Sequence, residues 1–144
     1  MPHRPVKQVI ENQRLLTAPA QTTVSEAAQL MKQSQVGAMV VVEGARLVGI
    51  FTERDALFRV VAEGRNPQTT KVGEVMTRDP QSIAPDKPLG YALHMMYEGA
   101  FRHVPVVENG QLLGIVSARD ALGTELTEFE ADLIRRQHIG EILG

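Results

Sequence analysis

Residues 41–57 read VVEGARLVGIFTERDAL, and residues 106–122 read VVENGQLLGIVSARDAL. At a constant offset of 65 positions, ten of these seventeen residues are identical, whereas two unrelated segments of ordinary composition would share about one. Self-similarity at a fixed spacing is the sequence signature of an internal repeat. We therefore interpret the chain as two copies of one structural unit.

The repeat extends upstream of these segments. Residues 6–10 (VKQVI) resemble residues 72–76 (VGEVM), with a change of one residue in the offset. The apolar spacing i, i+3, i+4, i+7, which is typical of one helix face, occurs in both halves, at Val24, Ala27, Ala28 and Met31 and again at Leu89, Ala92, Leu93 and Met96. A duplication therefore accounts for most of the chain.

Each copy predicts the element order β-α-β-β-α. In the first copy we expect a strand near residues 15–17, a helix from Thr23, a buried strand at 38–42, a return strand at 47–51 and a helix from Thr52. One unit of this size buries too little surface to be stable alone. We therefore predict a mixed α/β (α+β) fold in which tandem repeats pack sheet to sheet.

Local signals support these limits. Thr23 with Glu26 fits a capping box, and Asn109-Gly110 fits a hairpin turn with positive φ angles. The predicted segments are a first repeat at 6–62, a polar linker at 63–71, a second repeat at 72–125 and a C-terminal helix at 126–144.

Composition and charge disfavour several classes of protein. The 144 residues are 43% hydrophobic and 22% charged, as in folded proteins, and the net charge of −2 disfavours nucleic acid as a partner. No cysteine is present, which excludes disulfides and thiolate metal sites. The longest apolar run, residues 38–42, is far shorter than the roughly twenty residues of a membrane span. We expect a soluble, cytoplasmic protein with no membrane partner and no metal site.

Residues 49–55 (GIFTERD) and 114–120 (GIVSARD) are the segments most suggestive of chemistry. A Ser or Thr followed three residues later by an acid is a helix-capping pattern, worth about 1 kcal/mol. The same position suits a ligand, because a helix start exposes N–H groups and an Asp accepts hydrogen bonds from a ribose cis-diol. The residues alone leave both interpretations open.

The pattern Gly-hydrophobic-hydrophobic-[Ser/Thr]-x-x-Asp, at the last strand–helix junction of a duplicated β-α-β-β-α unit, resembles the cystathionine β-synthase (CBS) domain pair, or Bateman module. The resemblance covers about residues 6–125 and includes the strand at residues 101–107 (FRHVPVV). Proline inside that strand predicts a sheet edge or an irregular ladder, where its missing N–H is tolerated. The resemblance implies a module that binds adenosine compounds in two clefts between the repeats.

The resemblance also implies which residues line each cleft. Asp55 and Asp120 would hold ribose hydroxyls, and Arg54 and Arg119 would either reach a phosphate or lie on the surface. One cleft would combine Thr52 and Asp55 with Ser82, Ile83, Arg102 and His103. The other would combine Ser117 and Asp120 with Thr17, Ala18, Gly37 and Ala38.

The two clefts are expected to differ in charge. Arg102 and His103 correspond, at offset 65, to Gly37 and Ala38 of the first repeat. An arginine fork pairs with phosphate oxygens and a histidine adds a second donor. The cleft with Arg102 and His103 is therefore predicted to prefer a phosphate tail, and the other to take a less charged or bulkier adenosine ligand or to stay empty.

These features together predict a non-catalytic sensor of AMP, ADP or ATP, with NAD and S-adenosylmethionine as further candidate ligands, that regulates a separate, unidentified protein. The resemblance implies a homodimer through the helices that begin near Thr52 and Ser117. One alternative is an interaction module with vestigial clefts, against which the intact Asp55 and Asp120 argue. Another is an enzyme such as a nucleotide hydrolase, which is disfavoured because the sequence shows no nucleophile–base pair.

Overall fold

The structure is a computed structural model and describes residues 4–121, 129 and 131–137. The helices are α1 (Val6–Val9), α2 (Val24–Ser34), α3 (Glu53–Asp55), α4 (Val72–Val75) and α5 (Leu89–Gly99). The strands are β1 (Thr17–Ala18), β2 (Ala38–Glu43), β3 (Arg46–Thr52), β4 (Thr77–Arg78), β5 (His103–Glu108) and β6 (Gln111–Ser117). A π-helical segment, Ala56–Val61, continues α3, and a 3-10 turn, Ala118–Ala121, follows β6.

The predicted mixed α/β fold of tandem repeats is confirmed, but the two repeats share one sheet and do not pack as two separate sheets. The strands form one sheet in the order β1-β2-β3-β6-β5, with β4 paired to β3. The β2–β3 and β5–β6 hairpins have matching bulges, at Val41/Val42 and Val106/Val107. The two hairpins meet at a single register pair, Arg46 with Gln111. The repeats are thus joined edge to edge in one sheet by a short contact, and most of their association comes from elsewhere.

That association comes from an exchange of the lead-in segments between two hydrophobic cores. The first core contains α2, β2 and β3 together with Val72, Val75 and Met76 from the start of the second repeat. The second core contains α5, β5 and β6 together with Val6 from the start of the first repeat. Each repeat therefore completes the core of the other, as expected for units too small to be stable alone.

The glycine of each motif permits this exchange. A Cβ atom at Gly49 would clash with the Met76 sulfur, and one at Gly114 would lie 2.9 Å from the Ile10 Cβ. Met76 and Ile10 occupy matching places in the two lead-in segments. Glycine thus occurs at the same place in both copies of the motif because the exchanged segment packs closely against the strand there.

Proline at position 105 makes the two halves differ. The Val40 N–H donates to the Leu16 carbonyl at 3.0 Å, which supports pairing of β1 with β2. The equivalent residue at offset 65 is Pro105, which has no N–H to donate. The matching segment forms only an isolated bridge, Ile83 with Val106. The expected placement of this proline on an edge strand is confirmed, because β5 ends the sheet order.

The turn signals behave as predicted. Asn109 and Gly110 have φ angles of 52° and 80°, and Gly44 has a φ angle of 64°. Thr23 caps α2 by accepting a hydrogen bond from the Glu26 N–H at 3.2 Å.

Residues 131–137 are helical, within the predicted C-terminal helix at 126–144. The first residues of that segment, including Thr127 and position 128, and its last residues, 138–144, lie outside the described residues. Within the part of the chain that the structure describes, no helix is both long enough and apolar enough to cross a bilayer.

The Gln13 side chain completes the backbone pairing of β6. In the first repeat, Ile50 pairs with Thr77 of β4. At the equivalent Ile115, the Gln13 amide replaces that strand, because its Nε2 donates to the Ile115 carbonyl at 2.7 Å and its Oε1 accepts from the Ile115 N–H at 2.8 Å. One side-chain amide therefore supplies the same donor and acceptor as a strand residue.

We expect Gln13→Ala to lower the free energy of unfolding by about 1–2 kcal/mol, since two hydrogen bonds are lost. Chemical denaturation would measure the change. Gln8→Ala, at an exposed position of α1, is the matched control and should change stability by less than about 0.5 kcal/mol. Equal effects of the two substitutions would show that the Gln13 amide does not stabilise the fold.

Candidate ligand-binding clefts

In both copies of the motif the Asp side chain accepts hydrogen bonds from the Ser or Thr that lies three residues before it. Asp55 Oδ2 accepts from the Thr52 N–H at 2.9 Å and from the Thr52 hydroxyl at 3.2 Å, and the hydroxyl accepts from the Asp55 N–H at 3.3 Å. Asp120 Oδ2 accepts from the Ser117 N–H at 2.7 Å and from its hydroxyl at 3.2 Å. The capping interpretation of the motif is confirmed. In both caps it is Oδ2 that accepts these bonds, so the cap itself does not use Oδ1.

Asp55 is 8% exposed, and its Oδ1 faces a cation that sequence reasoning missed. Arg59 Nε lies 3.5 Å from this oxygen. The signal for this pair is visible in the sequence, because an acid and an arginine four residues apart lie on one helix face. The Arg59 side chain is half exposed and lines a cavity next to Asp55.

The larger cavity, of about 990 Å³, lies between the two repeats. It brings together four of the residues assigned to the first cleft, namely Thr52, Asp55, Arg102 and His103, and it is also lined by Arg54. The Arg54 guanidinium stacks over the Phe58 ring, 5.5 Å from its centroid, so this arginine lies at the cavity and not on a remote surface. Further lining residues that sequence reasoning missed include Glu53, Phe58, Arg59, Asp79, Gln81 and Tyr97.

Two residues predicted for this cleft do not line it. Ile83 is 4% exposed and packs in the second core, because its backbone bridges Pro105 and Val107 and turns its side chain inward. Ser82 is exposed and is not among the lining residues. The neighbouring Gln81 lines the cavity instead.

A smaller cavity, of about 470 Å³, is lined by Gly37 and Ser117 of the second predicted cleft and by Arg119. Thr17, Ala18, Ala38 and Asp120 do not line it. Ala18 and Ala38 are both buried. Ala18 lies in β1, which pairs with β2, and Ala38 lies in β2, which pairs with β3. Asp120 is partly exposed, and residues 122–128, which follow it closely in the chain, lie outside the described residues.

The predicted difference in charge between the clefts is not reproduced. Glu53, Arg102 and His103 line both cavities, and we call these three residues the shared wall. Lys32 and Arg119 add two further cations to the smaller cavity. The offset of 65 positions identifies equivalent residues of the two repeats. It carries no information on which residues of different repeats lie close together, and so it could not predict the shared wall.

Backbone hydrogen bonds hold each strand–helix junction to its own repeat. The Glu53 N–H donates to the Gly37 carbonyl at 2.9 Å, and the Ala118 N–H donates to the Arg102 carbonyl at 2.9 Å. Each helix start is therefore held against the residue that precedes the middle strand of its own repeat. The side chains of Arg102 and His103 then lie between the two motifs.

Burial lowers the pKa of His103, and this effect is the largest on the group. The nearby Glu53 and Asp120 carboxylates act in the opposite direction, and Arg102 lowers the pKa further. The imidazole is therefore mainly neutral near pH 7 and has one nitrogen donor and one acceptor. In this state the cationic partner for an anion in the shared wall is Arg102.

The lowered pKa of His103 makes stability depend on pH. The unfolded state takes up a proton near the ordinary pKa of 6.5, whereas the folded state resists protonation, so the stabilising contribution is present above that value and is lost as the pH falls below it. We expect His103→Gln to reduce the loss of unfolding free energy between about pH 7 and about pH 5. His94→Gln, on the exposed surface of α5, is the control for removal of a histidine elsewhere in the chain. Identical pH profiles for wild type and His103→Gln would contradict the expectation.

The sequence matches the family described as CBS domain twice, over residues 6–62 and 72–125. These matches cover most of the chain, which therefore belongs to the CBS domain family and contains the domain pair called a Bateman module. Its curated relatives include YhcV of Bacillus subtilis, which is 38% identical over 88% of this chain and 89% of YhcV.

Plant relatives are longer. CBSCBSPB3 of Arabidopsis thaliana is 37% identical over 81% of this chain, and the mitochondrial CBSX3 of the same organism is 36% identical over 78%. The matched regions are 21% of the first plant protein and 57% of the second. This chain thus spans less than two thirds of either relative.

Solved structures share the fold. A protein described as a signal-transduction protein with CBS domains, from Burkholderia ambifaria, has a TM-score of 0.80 and 29% identity over 86% of this chain and 95% of its own. The CBS domain protein PAE2072 of Pyrobaculum aerophilum, complexed with AMP, has a TM-score of 0.75 and 26% identity over 81% and 89%. The hexameric CBS-CP12 protein of bloom-forming cyanobacteria has a TM-score of 0.76 and 28% identity over 83% and 67%.

Proposed function

We propose that this protein is a regulatory module that binds an adenine nucleotide in the clefts between its repeats and acts on a separate protein. The observation that carries the proposal is the cavity of about 990 Å³ where Asp55, Arg54 and Arg102 converge. A carboxylate suits the two hydroxyls of a ribose, and guanidinium groups suit a phosphate. The AMP complex of the Pyrobaculum relative supports the same ligand class for this chain.

The charges in the cavity favour a ligand with few phosphates. Arg54, Arg59 and Arg102 are balanced by Glu53, Asp55 and Asp79, which also line the cavity. Each added phosphate brings further negative charge close to these carboxylates. We therefore expect AMP to bind more tightly than ATP in this cavity, with ADP between them and NAD and S-adenosylmethionine as comparison ligands.

Thermal unfolding with and without ligand tests the proposal. A ligand at about a hundred times its dissociation constant should stabilise the protein by roughly 2.7 kcal/mol, which is a shift of several degrees. Asp55→Asn combined with Asp120→Asn should abolish the shift with AMP, because an amide keeps one cap acceptor but loses the anionic acceptor for the diol. Asp86→Asn, at an exposed position outside both sets of lining residues, is the control and should keep the full shift.

Two results would contradict this function. The absence of a shift with any adenine compound, for folded protein free of co-purified nucleotide, would favour an interaction module with vestigial clefts. A full shift in the double Asn variant would place binding outside the clefts. A guanosine nucleotide serves as the specificity control. Recovery of unchanged AMP, ATP and NAD after incubation is expected for a non-catalytic module, and product formation would instead indicate an enzyme.

We also propose self-association through the helix that follows Thr52. Leu57 and Val61 lie one turn apart there and are 53% and 69% exposed. An apolar surface of this kind suits a twofold interface in which both copies present the same residues. The cytoplasmic location expected from the sequence remains a prediction, and one of the curated relatives is mitochondrial.

We expect a light-scattering mass of twice 15.8 kDa for wild type and of one chain for Val61→Glu, because a buried unpaired charge disfavours the interface. Glu63→Gln, at an exposed position just beyond this segment, should not change the mass. A hexamer, as in the cyanobacterial relative, or a wild-type monomer would contradict the twofold arrangement.

A further inference from the structure

Arg59 connects the candidate ribose-binding acid to the exchanged lead-in helix. Its Nη1 donates to the Val75 carbonyl at 3.1 Å and to the Met76 carbonyl at 3.0 Å. Its Nε lies 3.5 Å from Asp55 Oδ1. One guanidinium thus contacts the motif of the first repeat and the start of the second.

The two carbonyls that Arg59 contacts are at the end of α4. The last carbonyls of a helix lack partners within that helix, and α4 is only four residues long. A guanidinium can donate to them and to a carboxylate at the same time, because its donors form a rigid planar fork. Arg59 is therefore held by α4, and its orientation beside Asp55 depends on α4.

The oxygen that Arg59 faces is the one that the cap does not use. Asp55 Oδ2 already accepts two hydrogen bonds from Thr52, which leaves Oδ1 as the acceptor for a ligand. A carboxylate oxygen can accept more than one hydrogen bond. Arg59 can therefore hold the carboxylate plane while a ligand hydroxyl donates to the same oxygen.

Arg59 also lies in an unusual stretch of helix. It belongs to the π-helical segment Ala56–Val61, where the Ala62 N–H donates to the Leu57 carbonyl at 2.9 Å. Short π-helical turns are frequently found at functional sites. This agrees with a role for the segment beyond packing.

We propose that Arg59 is a positioning residue that orients Asp55 toward the cis-diol of a ligand and couples diol binding to the contact with α4. This inference rests on the proposed function. The inference adds a residue that distinguishes the two clefts. Arg59 lies four residues after Asp55, whereas the residue four positions after Asp120 is Thr124. Diol recognition in the cleft with Asp55 therefore depends on an arginine that the other motif lacks.

The test compares the binding of AMP and 2′-deoxy-AMP by calorimetric titration. An Asp120→Asn substitution is present in every variant, so that the binding measured is that of the cleft with Asp55. The affinity ratio of the two ligands measures the diol contact, and the ratio of AMP to adenosine measures the phosphate contact. We expect Arg59→Met to lower the first ratio roughly tenfold, the scale of one hydrogen bond to a charged group, and to leave the second unchanged.

Arg65→Met is the matched control. Arg65 also contacts α4, through an ion pair of 2.7 Å with Glu74, but it is not among the residues that line the larger cavity. We expect this substitution to leave both affinity ratios unchanged. Thermal unfolding of each variant without ligand separates loss of stability from loss of recognition.

A ratio of AMP to 2′-deoxy-AMP that stays at the wild-type value in Arg59→Met would overturn the proposal and leave the proposed function intact. If Arg59→Met does not fold, Arg59→Lys replaces it. A lysine keeps the charge but lacks the planar fork, so an unchanged ratio in that variant would also overturn the proposal. Absence of AMP binding in the Asp120→Asn background would instead count against the proposed function of this cleft.

Discussion

The packing of α1 and α4 into each other's repeat is the constraint on which the rest of the structure depends. A β-α-β-β-α unit of this length cannot bury enough apolar surface alone, and the exchanged segments supply the missing side chains, Val72, Val75 and Met76 in one core and Val6 in the other. The exchange brings the end of α4 to the motif of the first repeat. The residues that follow α4, namely Thr77, Asp79, Pro80 and Gln81, then line the larger cavity.

Capping and ligand recognition are compatible in this motif because a carboxylate has two oxygens. Oδ2 of Asp55 closes the cap with Thr52, and Oδ1 is directed elsewhere, beside Arg59. The two interpretations that the sequence left open are therefore not exclusive. Any substitution of Asp55 changes both functions, so an amide is more informative than alanine, because it keeps one acceptor for the cap.

The sequence predicted the fold well where the pattern is local. Spacing of apolar residues located α2 and α5, the Asn109-Gly110 pair located a turn, and Pro105 indicated an edge strand. Single residues of the site were predicted less completely. Thr52, Asp55 and Arg102 lie together as expected, but Ile83 and Ala18 are buried in the cores. In a short strand the direction of each side chain depends on pairing register, which a motif does not report.

By itself, the sequence determined that the chain is a duplication, and it predicted the element order β-α-β-β-α and a capping pattern at each motif, because repeats and caps are local patterns. Only the tertiary structure decided that the lead-in segments exchange cores, that Glu53, Arg102 and His103 line both cavities, and that Arg59 reaches the end of α4. The physical reason is that these contacts join residues that are distant in the chain or belong to different repeats. Their geometry is set by packing, and no spacing within one copy of the repeat encodes it.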